Sequence, residues 1–389
     1  MEAPLDPNVL RPHYRAFLRD DRILLTGHSH QAWPDVAKEG MVAAFEAAAT
    51  HVDDKWGEAF AAATAVREAV AARVGVAEST VALGASTHDL VVRLLSALPL
   101  GKKRHIVTTS GEFHTLYRQL RRLSEEGVSV DFVNPMPVAT LAERLAAAVR
   151  DDTAALFVST VLFESSTLVP HLSHAVDVAR KKGAEVVLDT YHHFMVKPLR
   201  RDDYGDVFLL GGGYKYAQWG EGVCFMTVPE GCSLTPAVTG WFSDFAHLSA
   251  PRDGAKVTYG PTLAERFAGS TYDPTSHFRA RAVLRFFDER GMTVPRLAAG
   301  YSMQTARISE ALAARGHRVV SPSDAASRGG FVAVAVENPA EVIEKSRRDG
   351  VLFDARGDIV RLGPAPYLTD AELDRGVEVF ATHAKPKAA

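Results

Sequence analysis

The alternation of two sequence patterns between residues 80 and 228 constrains the fold most strongly. Short apolar stretches typical of β-strands alternate there with amphipathic stretches of about 10–15 residues, which are typical of α-helices. The strand patterns occupy residues 80–84, 105–109, 128–133, 154–160, 184–189, 206–210 and 223–228. This order indicates a mostly parallel sheet covered by helices on both faces. We therefore predict an α/β fold whose large domain contains a mostly parallel, seven-stranded sheet.

The pattern changes after about residue 230, which suggests a second unit. Residues 231–275 are rich in turn formers and aromatic residues, and residues 278–290 have the spacing of a long helix. From residue 294 onward, helix and strand patterns follow one another in a smaller region. We predict an N-terminal segment (1–55), a large domain (56–290) and a smaller C-terminal α+β domain (291–389), with the N-terminal segment packed on the last.

Composition narrows the class of protein. The chain has 389 residues, of which 47% are hydrophobic, and a formal net charge of −3, which favours neither nucleic acid nor an anionic membrane as partner. Two cysteines, Cys224 and Cys232, form no disulfide framework and suit a reducing compartment. The first residues lack the basic and apolar regions of a signal peptide, and no apolar run approaches the ~20 residues that span a bilayer. We expect a cytoplasmic protein.

An acid and a lysine follow two successive strand patterns. Asp189 ends the strand pattern 184–189, and the glycines 211–213 are followed at once by Tyr214, Lys215 and Tyr216. Taken alone, a glycine-flanked lysine could serve any phosphate. A carboxylate and a lysine placed in this way, however, match the groups with which enzymes hold pyridoxal 5′-phosphate (PLP): the carboxylate pairs with the pyridinium nitrogen and the lysine forms a Schiff base. The sequence predicts PLP bound as a covalent aldimine with Lys215.

Three further positions fit such a cofactor, although each has an ordinary structural interpretation. Ser86 and Thr87 begin a predicted helix, where they could cap the helix or bind a phosphate. Phe113 follows a strand pattern at the sheet edge where ligands bind, and could stack on a pyridine ring or belong to the core. His192 could brace Asp189 or occupy a loop. Beside the acid and the lysine, phosphate binding is favoured over capping alone.

Metal and nucleotide chemistry are not favoured. The histidine pairs at 28/30, 171/174 and 192/193 lack an accompanying set of carboxylates and cysteines at familiar ligand spacing. The glycines 211–213 match neither the dinucleotide fingerprint nor the P-loop, in which Ser or Thr follows the lysine. Tyr216 stands at that position here. We expect no metal.

The whole set of motifs resembles a known family. The motifs occur in the order Ser86-Thr87, Phe113, Asp189-x-x-His192, Tyr214-Lys215-Tyr216 and Gly240-Trp241-Phe242. This order is similar to that of the kynureninase branch of the class V aminotransferase family, and the resemblance covers roughly residues 20–370. These are PLP-dependent enzymes of fold type I. The resemblance implies a fold-type I PLP-dependent transferase fold, and a homodimer with active sites at the subunit interface.

The resemblance also implies individual roles. Lys215, Tyr214 and Asp189 would be catalytic, and Arg361 would bind the α-carboxylate of the substrate, a task that suits its planar fork. The implied cofactor-binding residues are Asp189 and Lys215, Phe113 and His192 at the ring, Ser86, Thr87 and Tyr214 at the phosphate, and Trp241 and Thr271 from the partner subunit.

Two segments depart from the family pattern. Gly27-His28-Ser29-His30-Gln31 stands where kynureninases usually carry Gly-Asn-Ser-Leu-Gly, and residues 269–274 lack the usual asparagine before two prolines. Both segments lie where the family reads its substrate, so they leave the predicted cofactor anchors untouched.

The activity implied by the resemblance is hydrolysis of the Cβ–Cγ bond of L-kynurenine or a related γ-keto amino acid, a reaction of tryptophan catabolism that gives alanine and an aromatic acid. Lys215 would remove the α-proton and Tyr214 would relay protons. A class V aminotransferase or a β-eliminating lyase would use the same anchors on a different amino acid. A non-catalytic PLP-binding protein is disfavoured by Lys215, Asp189 and Arg361 together. Cysteine desulfurase chemistry is disfavoured because no cysteine follows Cys232.

Overall fold

A computed structural model describes residues 2–19, 21–249, 251 and 256–387. Within them, the strands are β1 (Ile23–Leu24), β2 (Val81–Gly84), β3 (His105–Thr109), β4 (Ser129–Val133), β5 (Thr153–Ser159), β6 (Glu185–Asp189), β7 (Phe208–Gly212), β8 (Cys224–Thr227), β9 (Arg318–Val319), β10 (Val332–Ala335), β11 (Val351–Leu352), β12 (Asp354–Arg356) and β13 (Ile359–Leu362). The α-helices are α1 (Pro7–Leu10), α2 (Val36–His51), α3 (Trp56–Val74), α4 (Thr87–Ala97), α5 (His114–Glu125), α6 (Leu141–Ala148), α7 (Leu172–Lys181), α8 (Leu263–Arg266), α9 (Thr275–Glu289), α10 (Val294–Ala313), α11 (Pro339–Arg348) and α12 (Asp370–His383). None of these helices is long and apolar enough to cross a membrane.

The central sheet confirms the predicted α/β fold. Its seven strands run in the order β2-β8-β7-β6-β5-β3-β4, and all neighbours are parallel except β8, which is antiparallel to both β2 and β7. Every residue of β5 is buried, as expected for a strand covered on both faces. Leu156 and Val158 face a core shared with α3, α6 and α7, whereas Ala155 and Phe157 face one shared with α4 and α5.

The glycines before Lys215 are required by packing within the chain. The predicted strand 206–210 begins two residues later and includes Gly211 and Gly212, which pair with β8. A Cβ on Gly211 would lie 2.6 Å from the ring of Phe225, and one on Gly213 would lie 2.6 Å from the ring of Trp219. The three glycines therefore admit neighbouring side chains of the same chain, rather than a ligand, against the backbone.

The C-terminal region forms the predicted α+β unit. Strands β12, β13, β10 and β9 make an antiparallel sheet. Helix α12, whose Thr369 and Glu372 form a reciprocal cap at its N-terminus, was not predicted. Strand β1 pairs in parallel with β11, which attaches residues 23–24 to this region. The three-part division of the chain, with the N-terminal segment packed on the last unit, stays a prediction.

Candidate active site

Four of the predicted site residues lie at one edge of the sheet. Asp189 is the last residue of β6, and Lys215 follows β7 by three positions. Phe113 lies between β3 and α5, and Ser86 lies between β2 and α4. The carboxyl ends of parallel strands share one edge of a sheet, and ligands of open α/β sheets bind there. The connectivity of the fold therefore brings together residues that are far apart in the sequence.

Lys215 is enclosed by rings, and no ion pair joins it to an acid in the part of the chain that the structure describes. Its side chain is 5% exposed, and Nζ lies 2.8 Å from Nε2 of His192 and 4.5 Å from the ring centre of Tyr191. The ring of Phe113 is 5.4 Å from Nζ. Burial lowers the pKa of Lys215 to about 7, against the opposing effect of Asp189. A large fraction of this amine is consequently neutral near pH 7, which is the nucleophilic form.

Asp189 is a half-buried carboxylate without an ion-pair partner among the described residues. Its Oδ1 accepts a hydrogen bond of 2.9 Å from the backbone N–H of Tyr191. Burial raises the pKa of Asp189, although that N–H and Lys215 oppose the effect. A cation placed against such an acid stabilises its ionised form, and the protonated nitrogen of a pyridine ring is such a cation.

The start of α4 provides a place for a phosphate. Ser86 caps the helix, because its Oγ accepts a hydrogen bond of 3.1 Å from the backbone N–H of Asp89. Capping uses the hydroxyl as an acceptor, and its hydrogen remains free to donate to an anion. Thr87 is the first residue of this eleven-residue helix. The unpaired N–H groups and the dipole at a helix N-terminus add to the attraction for a phosphate.

Tyr214 stands at the mouth of the cluster. Its ring centre lies 4.9 Å from that of Tyr191, and it stacks on the exposed His30 at 5.3 Å. Burial raises the pKa of Tyr214 to about 12, so the phenol keeps its proton at neutral pH. His30 belongs to the segment that departs from the family pattern, and the structure places it beside a predicted catalytic residue.

Trp241 and Thr271 lie together, away from Lys215. Trp241 Nε1 donates a hydrogen bond of 2.9 Å to Thr271 Oγ1, and both residues are exposed. In the described part of the chain, no hydrogen bond or ring contact joins either of them to the residues around Lys215. Thr271 instead lines a cavity of about 840 Å³ that Gly84, Met41 and Phe242 also line.

Arg361 is buried and paired with a carboxylate of its own chain. Its Nε and Nη2 donate to Asp354 Oδ1 and Oδ2 at 2.8 and 2.5 Å, and its Nη1 donates to the backbone oxygen of Phe163 at 2.7 Å. Asp354 was not singled out from the sequence. A signal existed, because Gly357 and Asp358 form the two-residue turn of a hairpin in which Asp354 lies opposite Arg361.

Glu112 is a second residue that sequence reasoning missed. It is 3% exposed and accepts hydrogen bonds from Thr109 Oγ1 at 2.6 Å, from Ser159 Oγ at 2.5 Å and from the backbone N–H of Ser159 at 3.2 Å. Burial raises the pKa of Glu112 to about 7. These bonds fix the backbone immediately before Phe113. Nothing in a single sequence distinguishes such a buried glutamate from an exposed one.

The donor set fits PLP. The site supplies a buried amine of lowered pKa in Lys215, a half-buried acid of raised pKa in Asp189, a helix N-terminus with a hydroxyl in Ser86, and a ring in Phe113. Nδ1 of His192 is buried and has no partner among the described residues. An amine, an acid, a phosphate cup and a stacking ring are the groups that this cofactor needs.

The fold and this arrangement define a PLP-dependent enzyme of fold type I. Residues 41–236 match the model of the class V aminotransferase family, and residues 300–380 match that of the kynureninase C-terminal domain. The chain belongs to the class V aminotransferase family, and its cofactor is PLP.

Individual relatives differ in activity. The chain is 24% identical over 337 residues to the uncharacterized aminotransferase YcbU of Bacillus subtilis, a match that covers 84% of this chain and 85% of that protein. It is 27% identical over 241 residues to kynureninase of Geobacillus thermodenitrificans, which covers 59% of this chain and 54% of that protein.

Solved structures share the fold at low identity. The apo structure of cysteine desulfurase from Thermococcus onnurineus has a TM-score of 0.81 at 17% identity and covers 98% of this chain and 99% of that one. A variant of C-DES with glycine covalently linked to its PLP cofactor has a TM-score of 0.84 at 15% identity, with 96% and 99% covered. At these identities the likeness establishes the fold alone.

Proposed function

We propose that the protein is a hydrolase of the kynureninase type, which cleaves the Cβ–Cγ bond of L-kynurenine or a related γ-keto amino acid to give alanine and an aromatic acid. The observation that carries this proposal is the match of residues 300–380 to the kynureninase C-terminal domain, because that region contains Arg361. PLP, when bound, supplies the electron sink that makes the α-proton acidic. The remaining work falls to side chains of this chain.

Lys215 is assigned two tasks, which are covalent attachment of the cofactor and removal of the α-proton. Both require a neutral amine, and the lowered pKa of about 7 supplies one. His192, at 2.8 Å, orients this amine. Burial and the neighbouring Lys215 lower the pKa of His192 well below its usual value, so its ring is neutral and does not repel a protonated amine.

Tyr214 is assigned proton transfer to the γ-ketone as well as phosphate binding. Its pKa of about 12 keeps a transferable proton on the phenol at neutral pH. The exposed His30 stacks on the Tyr214 ring, with ring centres 5.3 Å apart. General acids of this kind typically contribute factors of about 10²–10⁴ to the rate.

The walls of the site suit an aromatic side chain. Phe113 and Phe163 meet edge to face with ring centres 5.7 Å apart, and Arg361 lies 5.9 Å from the Phe163 ring. A substrate whose carboxylate meets Arg361 therefore has aromatic rings near its other groups. Edge-to-face contacts of this type favour an aryl group by about 0.5–1.5 kcal/mol beyond area burial.

A homodimer is part of the proposal. Helix α2 buries Ala37, Gly40, Ala44 and Ala47, while its other face exposes Met41, Val42 and Phe45, the last by 76%. We call these three residues the α2 apolar surface. Met41 lines the same cavity as Thr271 and Phe242, which places this surface beside the exposed Trp241 loop. A second copy covering it would bring Trp241 and Thr271 to the partner's phosphate site.

The test is a substrate assay on purified holoenzyme. L-kynurenine and 3-hydroxykynurenine are supplied separately, and release of the aromatic acid is followed by fluorescence together with alanine. Equal amounts of both products are expected, and none from the variant Lys215→Ala. Pyruvate and ammonia in place of alanine would overturn hydrolysis in favour of β-elimination.

The second candidate is an aminotransferase. YcbU, named as an aminotransferase, aligns with more of this chain than the kynureninase does, and His28 and His30 alter the segment where the family reads its substrate. Product that appears only when a 2-oxo acid is added would establish this candidate. Cysteine desulfurase chemistry is not proposed, because burial raises the pKa of Cys224 to about 12 and no cysteine follows Cys232.

A further inference from the structure

Arg361 retains free donors after pairing within its own chain. An arginine has five N–H bonds. Three are used here, by the two oxygens of Asp354 and by the backbone oxygen of Phe163, so one N–H remains on each terminal nitrogen. Two such donors suffice for the two oxygens of another carboxylate. The pairing with Asp354 therefore fixes the plane of the guanidinium group and leaves some of its hydrogen-bond donors free.

The carboxylate of Asp354 also accepts a hydrogen bond from His28. The Nε2 of His28 lies 2.8 Å from Oδ1 of Asp354, and the His28 side chain is fully buried. Burial lowers the pKa of His28 to about 4, so the ring is neutral and its Nε2–H donates to the carboxylate. The carboxylate of Asp354 thus joins a histidine of the N-terminal segment to an arginine of the C-terminal sheet.

The backbone delivers His28 to this position. Gly27 N–H donates to the carbonyl of Gly363 at 2.9 Å, and Gly363 N–H donates to the carbonyl of Leu25 at 2.8 Å. Any Cβ at Gly363 would overlap the His28 ring. Gly363 is the second residue after Arg361, so the segment that carries the arginine also anchors the segment that carries the histidine.

The charged groups around Asp354 have a net positive charge that can be balanced by one more anion. Arg356 Nη1 lies 3.5 Å from Oδ2 of Asp354, so two guanidinium groups share a single carboxylate while His28 is neutral. The Asp354 side chain is 24% exposed, whereas that of Arg361 is 2% exposed. An excess of one positive charge beside Lys215 matches the single α-carboxylate of an amino acid.

We propose that Asp354 and His28 are positioning residues for substrate recognition: His28 holds Asp354, and Asp354 holds Arg361 with two N–H bonds directed at the α-carboxylate of an amino-acid substrate. The inference rests on the carboxylate-binding role proposed above for Arg361. It does not depend on which bond of the substrate is broken, because the α-carboxylate is common to the substrates of hydrolase, aminotransferase and lyase.

The experiment compares ligands with and without a carboxylate. L-alanine and L-kynurenine, and the corresponding amines that lack the carboxyl group, are titrated into holoenzyme, and each Kd is measured from the change in the cofactor absorption band. The variants are Asp354→Asn and His28→Gln. Asp358→Asn is the matched control, because Asp358 lies in the turn of the same hairpin and pairs with Lys387 rather than with the site.

For Asp354→Asn we expect the Kd of the amino acids to rise about tenfold or more, because loss of the charge-assisted hydrogen bonds to Arg361 leaves that guanidinium poorly oriented for a carboxylate. The Kd of the amines should stay constant, because they have no carboxylate for Arg361 to bind. His28→Gln should give a smaller selective rise and Asp358→Asn none. Equal changes for both ligand types, no change, or tighter amino-acid binding in Asp354→Asn would overturn the proposal. So would a wild-type enzyme that binds amines as tightly as amino acids. If the enzyme shows this selectivity but does not hydrolyse kynurenine, only the proposed activity is overturned.

Discussion

The side-chain nitrogen of Lys215 lies 2.8 Å from Nε2 of His192, so two basic groups share one hydrogen bond in a buried site. Burial lowers the pKa of both groups; Lys215 adds to the effect on His192, and Arg361 adds to the effect on Lys215. The pair consequently carries at most one positive charge near neutrality, and either nitrogen can accept a hydrogen bond from the other. An amine in this state is ready both to attack a carbonyl and to take up a proton.

Covalent capture of the cofactor tests the assignment of Lys215 directly. We expect Lys215→Ala to lose the yellow absorption band and to incorporate no cofactor on borohydride reduction, because among the described residues no other lysine affects the pKa of Asp189. Lys197→Ala is a matched control: Lys197 is also partly buried with a lowered pKa, but it donates to the backbone of Ala325. Reducible cofactor that persists in Lys215→Ala would contradict the assignment.

The rate of PLP uptake by apoprotein should follow the Lys215 titration. Only the neutral amine attacks, so the rate should rise with pH and level off above about 7, instead of continuing to rise toward 10.5. Asp189→Asn should shift the midpoint to lower pH, because the negative charge of Asp189 favours the ammonium form. Stopped-flow absorbance across a pH series gives both midpoints. A shift to higher pH in Asp189→Asn would count against the electrostatic explanation.

Glu112 should make stability depend on pH. Its pKa is raised from 4.5 to about 7 in the folded protein. The folded state therefore binds the proton more tightly than the unfolded state, and this contribution is full below pH 4.5 and is lost as pH rises through about 7. As the pH rises from 4.5 to about 7, the free energy of unfolding should fall less in Glu112→Gln than in wild type, by up to about 3 kcal/mol. Urea unfolding of the apoproteins at several pH values measures the difference. Identical pH profiles for the two proteins would show that Glu112 is not the group responsible.

The α2 apolar surface is expected to be the dimer contact. Phe45→Asp should give monomers in light scattering, because it places a charge at the centre of that surface, and should weaken PLP binding by removing the partner's Trp241 and Thr271. Met303→Asp is the control, since Met303 is also well exposed but lies on α10. A Phe45→Asp protein that remains dimeric would place the contact elsewhere.

Periodicity predicted the sheet well, because strands buried on both faces and amphipathic helices leave distinct sequence patterns. Strand bounds differ by one or two residues where packing intervenes, as at Gly211 and Gly212. The proximity of Asp189 to Lys215 was also accessible, since both lie at the carboxyl ends of strands that share an edge. The contact of His28 with Asp354 was not accessible, because it joins distant segments and leaves no local pattern.

The pairing of β1 with β11 has a consequence for how the molecule is made. Residues 23–24 leave the ribosome long before their partners at 351–352. Domains generally fold as units during synthesis, yet this short strand and the histidine that follows it stay without these partners until residues 351–354 have been translated. The pocket proposed for the substrate carboxylate is therefore completed only after the cofactor-binding sheet has been synthesised.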